Sequence, residues 1–199
     1  MTINSIVQQA RNCTLCETQL TNGCRPVLRV SGSAPILIIG QAPGRRAHES
    51  GIPWGDPSGD RLRQWLGVDK SQFYNDDLFS ILPMGLCYPG KGKSGDLPPM
   101  ARCAPLWHER LRPELNNAQL TLLVGQYAQN YYLGKTAEKT LTATVENWEK
   151  YLPSYLPMPH PSPRNRPWLK RNHWFESRIV PWLSVYIQQL LMKEKEKAK

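Results

Sequence analysis

Two unbroken apolar runs, each closed by glycine, are the strongest pattern along the chain. Ala34-Pro35-Ile36-Leu37-Ile38-Ile39-Gly40 and Leu120-Thr121-Leu122-Leu123-Val124-Gly125 show no polar alternation, as expected of strands buried on both faces. Residues 77–82 predict a strand between them, and residues 154–158 a short fourth strand after them. Helical spacing marks residues 6–16, 60–66, 105–112, 126–133 and 178–192. Strands alternating with helices predict the α/β class: a three-layer α/β/α sandwich around a central, mostly parallel four-stranded sheet. Residues 1–192 read as a single domain, and the charge run 193–199 reads as a flexible, solvated tail.

Composition changes the picture in three ways. Lys plus Arg number 25 against 16 Asp plus Glu, a net charge of +9, so a polyanionic partner is expected, with nucleic acid and an anionic membrane surface both open. No apolar run approaches the roughly 18 residues that span a bilayer, and residues 1–12 lack a secretory pattern, so a cytoplasmic, membrane-free protein is expected. The 18 prolines cluster at residues 42–57, 88–105 and 151–167, where they predict long, ordered loops of the kind that carry function.

Ligands of open α/β sheets bind beyond the carboxyl ends of strands, which directs attention to Gly40-Gln41-Ala42-Pro43-Gly44. Alone this segment reads equally well as a plain turn. Its continuation, His48 to Asp60, adds titratable groups, Trp54 and three glycines without core periodicity. The second loop is His160-Pro161-Ser162-Pro163-Arg164-Asn165-Arg166-Pro167-Trp168, followed by Lys170 and Arg171. A stiff basic loop that holds an aromatic ring can meet a phosphate backbone and wedge into a base stack. His160 serves equally well, on composition, as a cap on a nearby backbone group.

These two loops resemble the motifs of the uracil-DNA glycosylase superfamily, and of its iron–sulfur bacterial and archaeal branches in particular. Gly40-Gln41-Ala42-Pro43-Gly44 is similar to the first motif, Gly51-Ile52-Pro53-Trp54 to a Gly-x-Pro-Phe segment whose ring stacks on the flipped base, and His160-Pro161-Ser162-Pro163 to the second motif. The resemblance implies a monofunctional DNA N-glycosylase acting as a monomer on DNA with uracil or another deaminated base. It implies a catalytic role for His160 and base contacts by Gly40, Ala42, Gly44 and Trp54; Gln41 and Asp56 are the further catalytic candidates, and Ser162, Arg164, Arg166, Trp168, Lys170 and Arg171 of the stiff basic loop the candidate DNA contacts.

Breaking an N-glycosidic bond places negative charge on the departing base, which calls for a hydrogen-bond donor such as His160. Gln41 cannot act as a base but can hold a water through its amide. Glu49, Asp56 and Asp60 are nearby carboxylates for the water, although Asp60 also reads as a helix N-cap. No asparagine follows the second strand in Ser80-Ile81-Leu82-Pro83-Met84, where the family commonly reads the uracil edge. Two alternatives follow: a DNA-binding relative with weak or no hydrolysis, or one that traps the base-free sugar through a histidine, His173 being the only later one.

Five cysteines are too few for a disulfide scaffold and odd in number, which fits a reducing compartment. Cys13-Thr14-Leu15-Cys16 is a C-x2-C pair, and Cys87 and Cys103 lie sixteen positions apart. Spacing leaves zinc, an iron–sulfur cluster or no metal open. The resemblance points to a [4Fe–4S] cluster on Cys13, Cys16, Cys87 and Cys103, with Cys24 an unligated thiol.

Overall fold

In the computed structural model, which describes residues 2–197, β1 (Ile36–Ile39) and β2 (Phe79–Ile81) precede a small antiparallel hairpin. The hairpin pairs β3 (Lys91–Gly92) with β4 (Gly95–Asp96), and β5 (Leu120–Val124) and β6 (Tyr155–Met158) follow. The central sheet has the order β2-β1-β5-β6 with every neighbouring pair parallel. Pro157 is tolerated in β6 because β6 is an edge strand.

The helices are α1 (Ile3–Arg11), α2 (Arg45–Ser50), α3 (Pro57–Leu66), α4 (Lys70–Phe73), α5 (Cys103–Leu111), α6 (Gln126–Leu133), α7 (Leu141–Glu146), α8 (Arg166–Arg171) and α9 (Val180–Lys197). Alternation along β1 divides the core. Ile36 and Ile38 pack with Leu62 and Leu66 of α3, Phe175, and Leu183 and Ile187 of α9. Leu37 and Ile39 face the other way, onto Ala10 of α1, Trp107 and Leu111 of α5 and Ala128 of α6. Both sheet faces are thus covered, which is why the central strands carry no polar alternation.

Several expected elements have different bounds. The helix expected over residues 6–16 ends at Arg11, so Cys13 and Cys16 lie in the turns beyond it. The helix expected from Asp60 begins at Pro57, because Asp56 caps it: its carboxylate accepts from the Gly59 amide at 3.0 Å, with proline in the first turn. Asp60 is not the cap and instead pairs with Arg63 at 2.7 Å. The helix expected over residues 178–192 spans Val180–Lys197 and so takes in part of the charge run, with Glu194 accepting from Gln119 at 3.2 Å; residues 198 and 199 of that run lie outside the described residues.

Candidate active site

The turn after β1 is tied to the segment after β2. The Met84 and Gly85 amides donate to the Gly40 and Gln41 carbonyls, each at 2.9 Å. This holds Gly40, Ala42, Pro43 and Gly44 as one wall of a cavity of about 420 Å³, within the size range of small-molecule sites. Trp54, Asp56 and Ser58 form a second wall, and His160, Ser162 and Arg164 a third.

Trp54 is held by its backbone. It is the one non-glycine residue with positive φ (57°) among those described. Its carbonyl accepts from Arg63 at 3.2 Å, and the Tyr74 hydroxyl donates to the adjacent Pro53 carbonyl at 2.9 Å. The indole lies against Gly40, where a Cβ would sit 2.8 Å from Cζ2. Close approach explains glycine at 40, with the approaching group being Trp54. The indole also meets the His160 ring, their centroids 5.4 Å apart.

His160 is fixed on both sides. The Ser162 amide donates to Nδ1 at 3.1 Å, and the Asn165 side-chain amide donates to the His160 carbonyl at 2.8 Å. A backbone amide only donates, so Nδ1 accepts and Nε2 carries the ring proton. Burial pushes the His160 pKa down to about 4, against a smaller opposing pull from the Asp56 carboxylate. At neutral pH the ring is an uncharged Nε2–H donor.

The candidate residues do not all meet. Asp56 lines the cavity while it caps α3. Glu49 is held by Arg45 at 2.7 Å, and neither Glu49 nor Asp60 lines the cavity. The Gln41 amide donates to the Leu97 carbonyl at 3.2 Å, which ties this side chain to the segment after β4 and away from the cavity walls. Trp168 is packed on the core, with its indole N–H on Thr142 Oγ1 at 2.9 Å and its ring edge-on to Trp174 and Phe175. It is therefore not presented as a wedge; Pro163 and Arg164 are the exposed tip of that loop. Arg166, Lys170 and Arg171 are exposed on α8.

Two groups were not anticipated from the sequence. Asp96 of β4 enters the cavity wall, brought there by a hairpin of two-residue strands too short and polar to register as alternation. Arg46 joins from α2.

The chain matches the uracil DNA glycosylase superfamily over residues 29–184, a span that holds all four strands of the central sheet and all three cavity walls. It belongs to that superfamily. Within the superfamily fold, the β1 turn and the His160 loop face one another across the carboxyl ends of parallel strands, as ligand sites of open sheets do. No helix among the described residues is long and apolar enough to cross a membrane.

Cys13, Cys16 and Cys24 precede the matched span, yet they line one small apolar pocket together with Cys87 and Cys103. All five are free thiols, and the Leu86 amide donates to Cys103 Sγ at 3.3 Å. Burial pushes the Cys87 thiol up to about 12 and the Cys103 thiol to about 11. Among the described residues, no group of three or more His, Cys, Asp and Glu side chains is arranged to hold a metal ion. Four cysteines of the expected set, plus Cys24, nevertheless come from three separate segments to line the same pocket, and thiolates are the donors that zinc and iron–sulfur centres use.

Proposed function

We propose that this superfamily member hydrolyses the N-glycosidic bond of uracil or another deaminated base in DNA, as a monofunctional glycosylase. The observation that carries the reading is the Ser162–His160 hydrogen bond, which makes a cavity-lining histidine a neutral Nε2–H donor beside Trp54. A base within a duplex is out of reach and must be extruded, and stacking on Trp54 offsets part of the unstacking. As the C1′–N bond breaks, its electron pair leaves with the base, and His160 donates a hydrogen bond to the base oxygen that gains charge. Asp56 has one carboxylate oxygen on the Gly59 amide; the other holds the water that adds to C1′ and accepts its proton. The uncharged donor gains strength in the transition state, because the oxygen is far more negative there than in the intact nucleotide.

Ser162, Arg164, Arg166, Lys170 and Arg171 are the proposed backbone contacts, and Gly40, Ala42 and Gly44 the wall against which the base edge rests. The proposed cofactor is a [4Fe–4S] cluster on Cys13, Cys16, Cys87 and Cys103, in keeping with the iron–sulfur branches. When bound, it supplies structural cross-linking of the N-terminal turns to the loop that carries the β3–β4 hairpin. The placement of Gln41 on Leu97, and the lack of an asparagine in the segment 80–84 that brings Pro83 to the cavity wall, favour a second reading: a DNA-binding relative with weak or no hydrolysis.

The test is incubation of the purified protein with oligonucleotides that contain uracil, hypoxanthine or xanthine, followed by detection of free base and alkaline strand cleavage. Release of one base supports the enzyme and names its substrate. Tight binding of all three without release supports the second reading.

A further inference from the structure

A second concavity, an open groove of about 550 Å³, lies between α3 and the α8–α9 connection, lined by Arg61, Arg166, Lys170, His173 and Glu176. Three fixed cations and a histidine therefore face one space. Glu176 is its single carboxylate, and that group is engaged by the Trp65 indole N–H at 3.0 Å. Neither Arg61, Arg166 nor Lys170 forms an ion pair among the described residues. Arg61 Nη1 is shielded from solvent and has no hydrogen-bond partner. A buried donor left unsatisfied in a site of like charges marks a missing acceptor.

Its position names the acceptor. Pro57 and Ser58, at the start of α3, line the base cavity, and Arg61 lies about one helical turn further along the same helix. Ser162 to Arg164 line the base cavity as well, and Arg166 and Lys170 follow directly on α8. The groove is thus a continuation of the cavity between the same two elements. We infer that Arg61, Arg166, Lys170 and His173 form a phosphate-binding site for the DNA backbone next to the extruded nucleotide. Arginine forks suit a phosphodiester, which accepts two parallel N–H bonds. Neither Arg61 nor His173 belongs to the two motif loops.

This inference rests on DNA being the substrate, so its test separates the two. Binding of an undamaged duplex is measured by fluorescence anisotropy between about 50 and 200 mM salt for the full chain, Arg61→Gln, Lys170→Gln and Lys70→Gln, the last a cation beyond the far end of α3. Each lost phosphate contact lowers the slope of log affinity against log salt by about 0.9. Arg61→Gln and Lys170→Gln are expected to lose that amount, and Lys70→Gln none. Lys170 is exposed, so its variant reads the groove even where Arg61→Gln is poorly folded. Binding with an unchanged slope in Lys170→Gln and in a folded Arg61→Gln overturns the phosphate site, together with the backbone contact proposed for Lys170, and leaves the base-cavity reading untouched. A wild-type chain that does not bind DNA overturns the glycosylase reading with it.

Discussion

The Ser162 amide donates to His160 Nδ1 at 3.1 Å, across a single proline. The His-Pro-Ser sequence thus sets its own tautomer: Pro161 has no N–H to compete, and the next amide folds back onto the ring. With the pKa pushed down to about 4 by burial, the ring stays neutral across the physiological range. Excision is expected to hold from pH 8 to about 5 and to decline toward pH 4, when protonation of Nδ1 breaks the Ser162 bond. Single-turnover rates across this range check it; a midpoint near the ordinary value of 6.5 contradicts the neutral donor.

The same burial makes folding stability depend on pH. His108, bonded through Nε2 to the Pro83 carbonyl and through Nδ1 to the Tyr132 hydroxyl, is also pushed down to about 4. In the unfolded chain both histidines titrate near 6.5, so between 6.5 and 4 the unfolded state holds more protons. Stability is therefore full above pH 6.5 and falls as pH drops toward 4, by about 1.4 kcal/mol per pH unit for each histidine. Chemical denaturation at pH 7 and pH 5 measures this, and His160→Ala should remove its share of the slope.

Gly40→Ala places a methyl group 2.8 Å from Trp54 Cζ2. The strand cannot yield, because β1 is paired on both sides, so the indole must move. Excision is expected to fall by about tenfold or more with thermal stability changed little. Trp54→Ala should weaken capture of the extruded base by about 1–3 kcal/mol if the ring stacks on it. Normal excision by Trp54→Ala would assign the indole to packing.

If the cluster is held as proposed, Cys13→Ser and Cys87→Ser lose iron and acid-labile sulfide, whereas Cys24→Ser retains both. Iron per chain and the visible absorption of anaerobically purified protein decide this. Retention of metal in Cys87→Ser with loss in Cys24→Ser would assign the fourth ligand to Cys24, which lines the same pocket.

The four strands of the central sheet were legible because burial on both faces leaves a local mark. Ile36 to Ile39 and Leu120 to Val124 are continuous apolar runs, and α6 falls on the residues expected from spacing. The two motif loops were legible by resemblance, and Gly40, Trp54 and His160 line one cavity. What was not legible is the product of long-range folding. Asp96 reaches the cavity through the β3–β4 hairpin, Gln41 is diverted by a carbonyl 56 residues away, and Arg61 meets Lys170 only because α3 and α8 flank one groove. The cap at Asp56 was missed for a local reason: Pro57 at the first helical position signals the start three residues before Asp60.

His160, as a neutral donor, is the proposed driver of base release. The most direct measurement pairs single-turnover excision with DNA affinity for the wild type and His160→Ala, on the oligonucleotide that the wild type cleaves. Loss of one such donor is expected to slow excision by about 10²–10³-fold while affinity for undamaged DNA stays within a factor of about two. Excision by His160→Ala at the wild-type rate, or an equal loss of excision and affinity, would contradict the account.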